Sequence, residues 1–269
     1  MRGLFAPDSI SWRIDREAAL LAGGTCALLL QLAHPAVAAG VDQHSDFRHD
    51  PFARLRRTLH SSLSIVFDDL PRAERSIARL NAIHARVRGT IPETGRAYRA
   101  TDPELLLWVH ATLIDTALRV YDRFVAPLTP AEMQAYHAEA CEIAVRLGVP
   151  ESRLPPTVAE LRDEMRRAID EGVVAVSPTA RRLARHVLYP ATFPPRFVWD
   201  AANLVSVSLL PPAIRRGYGI PWNAARERAV TGIASVTRAA VPFVPAALRH
   251  VPQSRSAERR WRLGMMGAP

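Results

Sequence analysis

Along most of the chain apolar side chains recur every three or four positions, the spacing of helices with one buried face. The first strong segment, from Arg16 to about Val41, carries no charge from Ala18 until Asp42. Its length would permit a membrane span. Against that, Gln31 and His34 are polar, Pro35 would kink or end a helix, and Gly23 and Gly24 weaken its middle. A basic stretch with a small-residue cleavage site, the secretory arrangement, is not seen ahead of it. A buried central helix is therefore expected, because a helix that is apolar all round is either core or membrane-spanning.

A second helix is expected from about Pro51, with Asp50 as N-cap and Pro51 at the first helical position. Phe52, Leu55, Leu59, Leu63 and Val66 fall on one side of it. Arg54 and Thr58 lie one turn apart on another, with Arg57 adjacent to both. "DDLPRAERSIARLNAIHARVRG" predicts a third helix, ended by Gly89, with Ile77, Leu80, Ile83 and Val87 as its apolar positions. His84 stands in line with Ile77 and Leu80 and so points inward.

From Thr101 the pattern reads as a helix hairpin, with Thr101 or Asp102 capping the first arm and Thr129 the second. Leu106, His110, Leu113, Ala117 and Tyr121 form a stripe that turns His110 to the core. Another helix covers about Thr157 to Gly172, and one or two follow "VSPTARRLARHVLYP". From Leu209 the chain is rich in proline, apolar residues and arginine, and is expected to wrap the surface. Repeats, an alternating strand pattern and a glycine-rich phosphate loop are all missing. The pattern predicts an all-α, single-domain, multi-helix bundle over residues 1–269.

Composition agrees with a globular domain: 269 residues, 48% hydrophobic and 23% charged. The formal charge is +9, and all 35 basic residues are arginine. Without lysine, Schiff-base or lysine general-base chemistry is excluded. The arginines are spread along the chain and partly matched by acids, which reads as a solvated surface rather than a nucleic-acid face. Only "RSAERRWR" near the C-terminus is a basic cluster, and with its apolar neighbours it supports at most peripheral membrane contact. A cytoplasmic location is the expectation. Cys26 and Cys141 sit in apolar helical contexts and read as thiols, not a disulfide framework.

His84 and His110, facing inward from separate helices, are the candidates for a buried site, although a lone core histidine is more often a satisfied hydrogen-bonding residue. HExxH, paired ExxH and GxSxG patterns are absent. "DQHSDFRHD" offers potential ligands but reads equally as a polar loop before an N-cap. Spacing alone leaves one class of chemistry, a histidine whose partner comes from outside the chain, such as a haem iron.

"QLAHPAVAAGVDQHSDFRHDPFARLRRT", "NAIHARVRG", "LLWVHATLIDTALRVYDRFVAPLTPAE" and "YPATFPPRF" resemble the catalytic domain shared by rubber oxygenases (latex-clearing proteins) and the MpaB-type oxygenase. The similarity spans about residues 13–222, leaving 223–269 as a C-terminal wrapping tail. It implies an all-α fold enclosing haem b, with His84 as the proximal ligand to the iron and His110 near the pocket. In that family an RxxKT helix passes the distal side, and "RLRRT" puts Arg54, Arg57 and Thr58 at its three marked positions. Arg57 departs from the pattern: a guanidinium keeps its proton and has no lone pair to cap iron as lysine can. The distal position is then open, water-filled or taken by a histidine such as His44.

The implied function is a haem-dependent oxygenase acting with dioxygen, and an electron donor, on a hydrophobic, isoprenoid or alkene-containing substrate. Two readings stand beside it: a haem-binding carrier or sensor without turnover, and a non-haem helical protein with structural histidines. Without the resemblance, the two arginines read as a solvent-facing pair on an ordinary helix.

Overall fold

In the computed structural model, which describes residues 3–45, 60–191 and 193–266, short α1 (Ile10–Asp15) leads through a 3-10 turn into α2 (Gly24–Ala33) and α3 (Pro35–His44). Helical residues 60–67 form α4, followed by α5 (Leu70–His84), α6 (Pro103–Val120), α7 (Pro130–Arg146), α8 (Val158–Asp170) and α9 (Pro178–Leu188). Three short helices, α10 (Arg196–Ala202), α11 (Leu204–Ser208) and α12 (Pro212–Gly217), precede α13 (Ala224–Ala240), α14 (Ala246–Arg249) and α15 (Pro252–Met266). The all-α expectation holds. Two three-residue strands, β1 (Arg88–Thr90) and β2 (Ala97–Arg99), pair antiparallel, a hairpin the pattern had not indicated.

Pro35 sets the layout of the centre. It has no amide hydrogen for the helical ladder, so α2 stops at Ala33 and α3 starts afresh with His34 as its N-cap. The two halves bend by 103°. By length and composition Ala18–Ala33 and Pro35–His44 together could make a broken membrane span, but among the described residues no single helix is long and apolar enough to cross. Within the bundle α2 is enclosed: Leu29 and Leu30 are at most 1% exposed. Burial of such a side chain contributes roughly 1.5–3 kcal/mol. Trp108 on α6 donates its indole hydrogen to Leu30 O at 3.1 Å, and Tyr218 donates to Leu29 O at 2.7 Å.

The helix hairpin forms, with Asp102 at the N-cap of α6, though without a side-chain cap bond there. Thr129 and Glu132 make a reciprocal capping box on α7, with Pro130 in the first turn. α6 is buried on more than one side, by α2 on one flank and by α7 and α8 on others. The predicted stripe is therefore too narrow, and it is also imperfect, since Leu113 is 45% exposed. The region after Leu209 is not a loose strap: Leu209, Leu210 and Ile214 are fully buried, and Val230 on α13 joins the main core.

Candidate functional site

His84 is the last residue of α5. Ala73, Ile77, Leu80 and His84 lie along the helix's inner face, whereas Ile83, expected to be apolar core, is 50% exposed. The helix ends here and not at Gly89. Val87 leaves the helix to pack on α3 beside Ala36, Ala39 and Tyr98, and Gly89 becomes the middle of β1. A Cβ at Gly89 would collide with Gln43 Oε1 and meet the Tyr98 hydroxyl at 3.0 Å, so glycine serves close approach rather than a helix cap.

That contact stitches the end of α3 to the hairpin that follows His84. Gln43 accepts from the Tyr98 hydroxyl at 2.8 Å and donates to Thr90 O at 2.8 Å. His44 lies 2.9 Å from Arg88 O through Nε2. A carbonyl can only accept, so Nε2 carries the hydrogen and Nδ1 is the lone-pair nitrogen. His44 is thus drawn near the α5 terminus, but ligation through Nε2 would break its bond to Arg88.

His84 is half-buried, and its Nδ1 is buried without a hydrogen-bond partner among the described residues. Burial lowers its pKa, which keeps the imidazole neutral and a lone pair available. His110 shares this condition. It is buried, its Nε2 has no partner among the described residues, and burial followed by the neighbouring His137 pushes its pKa down to about 4.

His137 was missed at the sequence level. It lies on α7 at 1% exposure and donates from Nε2 to Pro155 O at 2.7 Å, with Cys141 one turn on. The signal was present as His137 and Cys141 four apart among Tyr136, Ala140 and Ala144. The His110 and His137 pair sits between α6 and α7, away from the α2 side that Trp108 addresses. His34 is a third neutral imidazole: its Nδ1 accepts from Ala36 N at 3.2 Å, and burial lowers its pKa to about 4.

Arg54, Arg57 and Thr58 lie outside the described residues. The chain on either side of them is anchored around α5: Gln43 and His44 hold the hairpin, and Ser64 on α4 meets Ser76 on α5 at 3.0 Å. Among the described residues no cluster of three or more His, Cys, Asp or Glu side chains could hold a metal ion. What they offer instead are lone histidine nitrogens, His84 Nδ1 and His110 Nε2 among them, none part of a cluster. Cys26 is a buried thiol pushed up to about 12 by burial, and Cys141 is half-buried.

Residues 12–239 match the family model described as the catalytic domain of the ER-bound oxygenase MpaB and rubber oxygenase. Two uncharacterised mycobacterial proteins, one from Mycobacterium bovis and one from Mycobacterium tuberculosis, are each 29% identical to the chain over 229 residues. The alignment covers 81% of this chain and 87% of each relative. No solved structure matches.

Proposed function

The chain belongs to the MpaB and rubber oxygenase catalytic-domain family, and on that premise we propose that it is a haem-b-dependent oxygenase with a hydrophobic, alkene-containing substrate. The family is one of oxygenases, whose partners are a substrate and dioxygen. The observation that carries the finer reading is the His84 ring: half-buried, neutral, at a helix end, with a ring nitrogen that no described residue engages. Those properties would suit a nitrogen donor to a haem iron. Bound haem would supply dioxygen activation.

The chain's own residues divide the remaining work. His84 donates its lone pair from α5. Arg57 and Thr58 would serve as hydrogen-bond donors toward dioxygen, and Arg54 would pair with a carboxylate of the prosthetic group. The enclosed α2 and the start of α3 exclude water from the apolar side. His110, beside His137, would lie near the pocket without binding the iron.

Oxygen-electrode traces of haem-supplied enzyme with an electron donor test the oxygenase reading. Uptake that depends on an added isoprenoid alkene supports it. Haem-loaded protein that consumes no dioxygen above the substrate-free rate, across short and long isoprenoids, would reduce the protein to a carrier or sensor.

A further inference from the structure

A cavity of about 300 Å³ opens between α9, α10, α11 and the segment leading into α13, and none of the residues assigned above lines it. Its floor is apolar, made by Leu188 and Val207, both buried. One wall is Trp222, held in place from two sides. The Arg215 guanidinium lies 4.6 Å over its ring, and its indole hydrogen donates to Glu227 at 3.0 Å. Four arginines line the cavity against one acid, Asp200. Asp200 is already engaged, accepting from the Tyr189 hydroxyl at 2.7 Å.

The arginines differ in how far they are occupied. Arg196 stacks over Tyr189 at 4.4 Å, and Arg226 donates to Pro221 O. Arg181 gives only its Nε to Gly217 O, at 2.7 Å. Arg185 is exposed and has no hydrogen-bond or ion-pair partner among the described residues. Guanidinium forks with donors to spare beside an apolar floor suit a ligand with an anionic head and a greasy body, because the fork matches carboxylate or phosphate oxygens.

We infer that this cavity binds a small amphiphilic anion, its carboxylate or phosphate head at Arg185 and Arg181 and its apolar body against Leu188, Val207 and Trp222. The site stands independently of the haem reading, since it shares no residue with it. A cation lost from such a head-group contact weakens binding about tenfold, the worth of one charge-assisted hydrogen bond.

Titration calorimetry on the full chain, with octanoate, octyl phosphate, octan-1-ol and inorganic phosphate, tests the assignment. Saturable binding of octanoate or octyl phosphate at one per chain is expected, with octanol and inorganic phosphate at least about tenfold weaker. Arg185→Ser should weaken the anionic amphiphile about tenfold while leaving octanol binding and the thermal melt unchanged. Octanol binding as tightly as octanoate, inorganic phosphate matching octyl phosphate, an unaltered affinity in Arg185→Ser, or no saturable binding at all would each overturn the assignment.

Discussion

His84 and His110 show how one residue type acquires two fates. Both rings are kept neutral by burial, but His110 shares the α6 and α7 seam with a second histidine, whereas His84 ends its helix. The inward direction of His84 was legible in its spacing from Ile77 and Leu80. The companion of His110 was not read, because the predicted hairpin sets α7 beside α6 without fixing which of its residues meets His110. Arg57 belongs to the same scale. In the proposed role of donor toward dioxygen it would support the reaction and not the binding of haem, so Arg57→Ala should lower turnover by about 10²-fold or more, with haem content unchanged. Single-turnover kinetics beside pyridine-haemochrome titration checks both halves.

Asp15 provides a pH test. Its carboxylate accepts from the Tyr136 hydroxyl at 2.8 Å, and burial outweighs that bond to raise its pKa from 3.8 to about 7. Between those values the folded chain holds a proton that the unfolded chain has lost, so this group's contribution is full below about pH 4 and is lost as pH rises through 7. His34 and His110, lowered to about 4 from 6.5, act in the opposite sense. The difference between wild type and Asp15→Asn isolates the carboxylate. Asp15→Asn should gain urea stability relative to wild type as pH climbs from 4 to 7, and a flat difference contradicts the assignment.

At the scale of elements, proline and the N-cap residues were the readable signals. Pro35, Thr129, Thr157 and Ser177 mark helix starts as their chemistry requires. Glycine was harder to read, since its use depends on what lies opposite. Gly23 looked like a weak point within one helix, but it marks the passage from a 3-10 turn into α2 and lets that passage approach α6. A Cβ there would meet Thr116 Cγ2 and Val120 Cγ2, both at 2.7 Å. These are stiff β-branched side chains with nowhere to turn. Gly23→Ala should therefore destabilise by about 1–3 kcal/mol, readable as a shift in the denaturant midpoint. Gly24→Ala, with open space at its Cβ, should be tolerated.

Over the whole molecule the two ends of the chain are fastened together. Glu17 is 1% exposed, and Arg249 holds it through Nε at 2.8 and 3.0 Å, while Val251 N donates to Arg16 O at 2.8 Å. Beyond it α15 packs Ala257 into a small core with Phe5, Trp12 and Phe67, and Arg260 of the basic cluster pairs with Asp68 at 2.6 Å. Composition could mark that cluster as basic but could not show its acidic partner. Arg249→Ala leaves the buried Glu17 carboxylate with only the longer contacts to Arg16 and His250, at 3.9 and 3.7 Å, and should cost about 1–3 kcal/mol, with Glu17→Gln in the same background restoring part of the loss. Equilibrium unfolding of the two variants measures this coupling.

The most direct trial of the central claim is the visible absorption spectrum of protein purified after expression with haem supplied. Wild type should carry a Soret band, His110→Ala should retain it, and His84→Ala should lose or shift it while its far-ultraviolet helical signal persists. A colourless wild type, or a His84→Ala spectrum identical to that of wild type, would contradict the account.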